Sequence, residues 1–215
     1  MQIIFEAKYA IQTDAQVVVN SANAWLFADS SGAGAIREST PQLTQQQEAE
    51  YKFLFQKLPL EAQEFFKHKQ QEHGWQLHAE NLSCMRLLAT NNYKPFAIGS
   101  AILDFDISQL TQKVIVHAIT MSYDPIKQER ITATPDSIAH AIDSSLHILL
   151  EHGKNSIALP IPCARPDYGM TPKKSYDIIT TILKKYADRA ITVHLCFDNT
   201  FTKEFLETSL RGSNH

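Results

Sequence analysis

The apolar run Gln16–Asn20 (QVVVN) leads straight into Ser21-Ala22-Asn23, setting two asparagines three residues apart, and the small residues Ser30, Ser31, Gly32, Ala33 and Gly34 follow shortly before Ala35-Ile36-Arg37. Amides at the carboxyl end of a strand can bond the hydroxyls of a sugar. Small residues ahead of a helix leave backbone N–H groups open to a phosphate. The same residue types also make ordinary turns and helix starts, so the spacing alone leaves both readings open. Cys163, with Arg165 two residues on, reads either as a nucleophile with a depressed thiol pKa or as a small buried thiol. His117 ends an apolar run and reads as a core or loop-anchoring histidine ahead of a general base. His194 and Cys196 alternate with Val193 and Leu195 and so share one face of a strand, with no reason to make them ligands. The three cysteines, Cys84, Cys163 and Cys196, form no CxxC pair, so neither a metal centre nor a disulfide scaffold is expected.

Positioning such residues takes strands buried on both faces. Runs rich in β-branched residues recur at Gln16–Asn20, Lys113–Ile119 (KVIVHAI), Ser156–Ile161 (SIALPI) and Ala190–Phe197 (AITVHLCF). None shows clean polar alternation, as expected of parallel strands between helical layers. Helical periodicity follows at Thr134–His152, opened by Thr-Pro-Asp and closed by Gly153, with Ile138, Ala141, Ile142, Leu146 and Leu149 on one side. A second helix is predicted from Pro172 to about Tyr186, with an inward stripe of Tyr176, Ile179, Ile182 and Leu183. A third is predicted from Thr202 to Leu210, before a frayed tail at Arg211–His215. Strand and helix thus alternate from residue 113, which argues an α/β fold with a largely parallel sheet. Met121–Pro125 reads as a turn after a strand.

Between about residues 41 and 95 the composition shifts to Gln, Glu, Lys and aromatics, with helical spacing on both sides of Pro59. This predicts a helical insertion or hairpin over one sheet edge. A lid or protein-partner role is the alternative, through Phe53, Phe55, Phe65, Phe66 and Trp75. The 215 residues are 44% hydrophobic and 20% charged, the balance of one globular domain spanning 1–215. Twenty basic against 23 acidic side chains give a net charge of −3, and no basic stripe points to double-stranded nucleic acid. No signal-like start is visible and no apolar run approaches the roughly 18 residues that span a bilayer, so a cytoplasmic protein without membrane contact is expected.

Five stretches in order carry a family resemblance. NSAN after VVV resembles the Asn-Ala-Ala-Asn signature of macrodomains, the ADP-ribose-binding α/β modules, and GAGAI resembles the end of their glycine-rich loop. Ile98–Ile102 (IGSAI) is similar to their G-x-A strand and Val114–Ile119 to their strand ending in histidine. Leu159–Pro172 (LPIPCARPDYGMTP) resembles their second phosphate loop, and Val193–Asp198 (VHLCFD), with Phe201 and Phe205, their last strand and helix. The resemblance implies a three-layer α/β/α sandwich that binds ADP-ribose or ADP-ribosylated protein without a cofactor or metal. It places Asn23 at the distal ribose, where it could also orient a hydrolytic water, and Asn20 beneath the loop. Ser30, Ser31, Gly32, Ala33 and Gly34 would line one side of the diphosphate. Cys163, Ala164, Arg165, Tyr168 and Gly169 would line the other, with Phe197 and Asp198 at the adenine.

Departures bear on chemistry. Asp29 puts a negative charge near a diphosphate, and Ala33 stands where some hydrolytic members carry Asp. Arg165 replaces a loop glycine; it either grips phosphate through a bidentate guanidinium or pairs with Asp29 or Asp167 and closes the pocket. Ala7-Lys8-Tyr9 has no counterpart of the family's adenine-reading Gly-Asp. Hydrolysis at an anomeric carbon needs no paired carboxylates when a water, a phosphate oxygen and an amide are well placed. The chain therefore reads as a binder that could hydrolyse ADP-ribosyl bonds, with a degenerate interaction module as the alternative.

Overall fold

Val17, Val18 and Val19 are all shut off from solvent, as a strand with neighbours on both sides and helices on both faces demands. The structure, a computed structural model, describes residues 1–27, 31–73, 76–162 and 168–197. In chain order the elements are β1 (Gln2–Glu6), a 3-10 turn (Ala10–Gln12), β2 (Val17–Asn23), α1 (Ser31–Glu38), α2 (Gln45–Phe55), α3 (Leu60–His73), α4 (Ala79–Thr90), β3 (Ala101–Asp104), α5 (Phe105–Thr111), β4 (Val114–Asp124), β5 (Glu129–Ile131), α6 (Pro135–Glu151), β6 (Ser156–Pro160), α7 (Pro172–Lys184) and β7 (Thr192–Cys196). The sheet runs β1-β7-β6-β2-β4-β3, and β5 joins the far end of β4. Neighbours from β1 to β4 are parallel, while β3 and β5 each pair antiparallel with β4. The α/β architecture with a mostly parallel sheet agrees with expectation.

Helices α6 and α7 pack on each other and α6 lies on β3, β4 and β6, while α1, α4 and α5 contact the sheet and one another as the second layer. The stripe expected for α6 is buried throughout. Its start is a reciprocal cap: Ser137 N donates to Thr134 Oγ1 at 3.1 Å and Thr134 N donates to Ser137 Oγ at 2.9 Å, with Pro135 in the first turn. Thr134→Ala is expected to destabilise the fold by about 1 kcal/mol in urea denaturation, because the Ser137 N–H loses its acceptor. No helix among the described residues is long and apolar enough to cross a membrane.

Four expectations change. Strand β1, beyond the apolar runs picked out by composition, pairs with β7 from Gln2↔Thr192 to Glu6↔Cys196; its half-exposed position on the sheet edge weakens the apolar signal. Met121–Asp124 is strand, not turn, because β5 supplies a partner from Ser122↔Ile131 to Asp124↔Glu129. The sheet strand near Ile98–Ile102 begins only at Ala101 and runs antiparallel. Residues 41–95 form three helices rather than a solvated pair: α4 buries Leu82, Cys84, Met85 and Leu88 against the rest of the fold. Phe55, Phe65 and Phe66 are internal too, leaving Phe53 exposed, so the aromatic face assigned to a protein partner is largely core. Trp75 and the predicted helix Thr202–Leu210 lie outside the described residues.

Candidate functional site

Parallel strands β2 and β6 lie side by side, and their chains leave the carboxyl edge for different layers: β2 leads to α1 and β6 leads to α7. Diverging crossovers open a crevice at such a switch point, where ligands of open α/β sheets bind. Two loops border it. The first follows β2, the second follows β6.

Asn23 organises the first loop. Its Oδ1 accepts from Trp25 N at 3.0 Å and from Phe27 N at 3.3 Å, and its Nδ2 donates to the Phe27 carbonyl at 2.6 Å. The side chain is turned into the loop and shut off from solvent, rather than presented with its amide toward a ribose. Leu26, with φ 54, takes the left-handed turn that these bonds enclose. Trp25 Nε1 donates to the Tyr123 carbonyl at 3.1 Å, and the Phe27 ring stacks on Phe66 at 4.5 Å between centroids. The insertion therefore supports the site loop: Phe66 of α3 also meets Trp25 edge-on at 5.7 Å, and Phe65 lies 5.2 Å from Tyr123. Asn20 sits lower, within β2 itself, where its Nδ2 is 3.1 Å from His117 Nδ1. Ser31, Gly32, Ala33 and Gly34 belong to the first turn of α1 and not to the loop before it; Ser30 lies outside the described residues.

The second loop is pinned at Gly169. At φ +104 a Cβ there would stand 2.6 Å from the Ala133 carbonyl oxygen, so only glycine fits. Ala133 N donates to the Tyr168 carbonyl at 3.0 Å, and the Arg130 guanidinium lies over the Tyr168 ring at 4.1 Å. Arg130 comes from β5, an element that composition did not reveal, so this cation beside Tyr168 escaped the sequence reading. Ser175 Oγ donates to the Pro162 carbonyl at 2.7 Å and ties the loop to α7. Cys163, Ala164, Arg165 and Asp198 lie outside the described residues, as does Asp29.

Phe197 follows β7, its N–H donating to the Glu6 carbonyl at 3.0 Å, which brings Glu6 to the same edge of the sheet. The Glu6 carboxylate itself is held by His194 Nδ1 and Lys8 Nζ. The His194 hydrogen bond at 3.0 Å, aided by Lys8, holds the Glu6 carboxyl below its ordinary value against the opposing effect of burial. A folded-state pKa below the unfolded one contributes stability that is complete above the unfolded value and fades as pH falls through the folded one. Glu6→Gln is expected to lose about 0.5–1 kcal/mol near pH 7 and progressively less as pH falls below the ordinary carboxylate range, read from urea denaturation at each pH. His117 is fully buried, as expected of a core histidine, with Asp104 on its other side; Cys84 lies close to both, and these three are the described donors close enough together to hold a metal.

A mostly parallel sheet covered on both faces, with loops leaving a switch point for opposite layers, defines an α/β protein whose carboxyl edge is the place where ligands of open sheets bind. No family model matches the chain, and no curated protein matches it in sequence. Solved structures match over nearly the whole chain. A macrodomain of Oceanobacillus iheyensis with MES bound superposes with a TM-score of 0.64 at 15% identity, covering 97% of this chain and 89% of that one. The Trypanosoma brucei macrodomain in complex with ADP gives 0.62 at 15%, covering 97% and 69%. The macro domain of ganglioside induced differentiation associated protein 2 gives 0.61 at 12%, covering 97% and 82%. The fold is the macrodomain fold.

Proposed function

We propose that the chain binds ADP-ribose, free or carried on a protein, in the crevice between the loops that follow β2 and β6. The observation that carries this reading is the macrodomain fold with both loops at its switch point, one leading into the glycine-bearing first turn of α1, the other anchored at Gly169. Oceanobacillus macrodomain structures of the same fold, crystallised with ADP and with ADPR, support it. A diphosphate held by loop N–H groups and a helix start needs no cluster of Lys or Arg, so a net charge of −3 is compatible with it. In this reading Asn23 acts by shaping the loop, Tyr168 and its Arg130 cap wall the crevice, and Phe197 borders the base end.

Calorimetric titration with ADP-ribose tests it. Saturable binding is expected, and Asn23→Ala, checked for native circular dichroism, should weaken it by about 10–100-fold through loss of three loop hydrogen bonds. A flat wild-type titration overturns the proposal. Hydrolysis is the stronger form: loss of label from ADP-ribosylated protein above the Asn23→Ala control supports it, and equal label loss reduces the protein to a binder.

A further inference from the structure

On the α4 side of the sheet, three buried side chains from three parts of the chain bring donor atoms together, Cys84 from α4, Asp104 at the end of β3 and His117 from β4, and buried Glu80, one turn before Cys84, accepts from its thiol. Donor atoms of Cys84, Asp104 and His117 all lie within 4.8 Å of one another. His117 Nε2 is 3.0 Å from Asp104 Oδ2, and Cys84 Sγ is 3.4 Å from Glu80 Oε1. We propose that Cys84, Asp104 and His117 form a site for one divalent transition metal of the zinc class, with Glu80 beside Cys84 supplying the fourth ligand, distinct from the ADP-ribose crevice and independent of whether that crevice is occupied.

Three features carry the proposal. First, three donors lie close enough to share one ion. Metal–ligand distances of about 2.0–2.3 Å for nitrogen, oxygen and sulfur put tetrahedral neighbours roughly 3.3–3.5 Å apart, which the three donors, within 4.8 Å of one another, reach by small side-chain adjustments. A thiolate and an imidazole together select zinc-like ions over magnesium or calcium. Second, each carboxylate is held by its outer oxygen. Asp104 Oδ1 accepts from Ser83 Oγ at 2.6 Å and from Ile107 N at 3.0 Å, leaving Oδ2 toward His117. Glu80 Oε2 accepts from Asn81 Nδ2 at 3.0 Å, leaving Oε1 toward Cys84. Ligating carboxylates are oriented by such outer bonds.

Third, Asn20 stands against the far nitrogen of His117, is 4% exposed, and its Oδ1 has no hydrogen-bond partner among the described residues. An amide half-turn brings that oxygen onto Nδ1. The imidazole then carries its proton on Nδ1, donates it to Asn20 Oδ1, and turns the Nε2 lone pair to the metal, the arrangement that supports most metal-bound histidines. Metal binding releases the Cys84 thiol proton, and the Glu80 proton where it is present, to solvent. No electron is transferred. Sequence spacing could not show the site, because only Glu80 and Cys84, one helical turn apart, are near neighbours in the chain.

The test uses the full chain, stripped with EDTA and dialysed, then titrated with zinc ion alone. One zinc retained per chain after gel filtration is expected, with a melting temperature raised by about 5 °C or more at saturating metal. Cobalt substitution should give thiolate-to-metal charge-transfer absorption that Cys84→Ser abolishes, and His117→Gln should cut zinc affinity by at least about 10-fold. Wild-type protein that is folded yet retains no zinc and melts at the same temperature with zinc or EDTA overturns the proposal. So does equal retention by folded Cys84→Ser. Should both variants fail to fold, wild-type stoichiometry and melting still decide. ADP-ribose titration run in EDTA separates this outcome from failure of the crevice reading.

Discussion

Phe66→Ala is expected to destabilise the protein by about 3–5 kcal/mol and to weaken ADP-ribose binding by more than about 10-fold under conditions where the variant remains folded. Phe66 is 1% exposed and lies between Phe27, Trp25 and Phe65, so truncation empties a site enclosed by three rings. The transfer term and the cavity term add, since rings held by α3 and by the loop after β2 cannot both collapse into the gap. The effect on binding arises because two of those rings belong to the loop shaped by Asn23. Phe53→Ala on α2, 58% exposed, should stay within about 0.5 kcal/mol and leave binding unchanged. Urea denaturation and calorimetry on both variants make the comparison. A Phe66→Ala protein with native stability would mean that α3 does not brace the site.

The second large effect is expected at Asp104. Asp104→Ala should cost about 3–5 kcal/mol in urea denaturation carried out in EDTA, where no metal contributes. The substitution removes acceptors from His117 Nε2–H, Ser83 Oγ–H and the Ile107 N–H that opens α5, all away from water. Burial alone would raise the Asp104 carboxyl pKa, but the His117 contact, with Ile107 and Ser83, brings it below its ordinary value. Those bonds therefore favour the charged form, and its loss strands three donors at once. Ser83→Ala removes one donor from the same oxygen and should cost only about 1 kcal/mol. Equal losses for the two variants would show that Asp104 does not anchor the network.

Helices α6 and α7 and the central strands were readable because each carries a local pattern. The Thr-Pro-Asp start and Gly153 stop bracket α6, whose stripe from Ile138 to Leu149 is set by the helical period. Val17–Val19 announces a doubly covered strand by lacking alternation. Ends of elements were less legible. Asn20–Asn23 continues β2 because β4 offers partners up to Met121, and Tyr123 is strand because β5 folds back on it. Both depend on residues far away in the chain. At the site, the loop-forming residues were visible as types while their uses were not: Asn23 turns inward to three backbone groups, and Arg130 reaches Tyr168 only through the β4–β5 pairing.

Composition, period and the ordered short motifs were enough to reach an α/β macrodomain-like sandwich, because burial period and turn chemistry act between near neighbours. Packing between distant segments settled the rest: that residues 41–95 brace a loop instead of presenting an aromatic face, that Glu6 joins Phe197, and that Cys84, Asp104 and His117 converge. Such meetings depend on where whole elements cross, and a linear pattern of residue types carries little trace of the crossing.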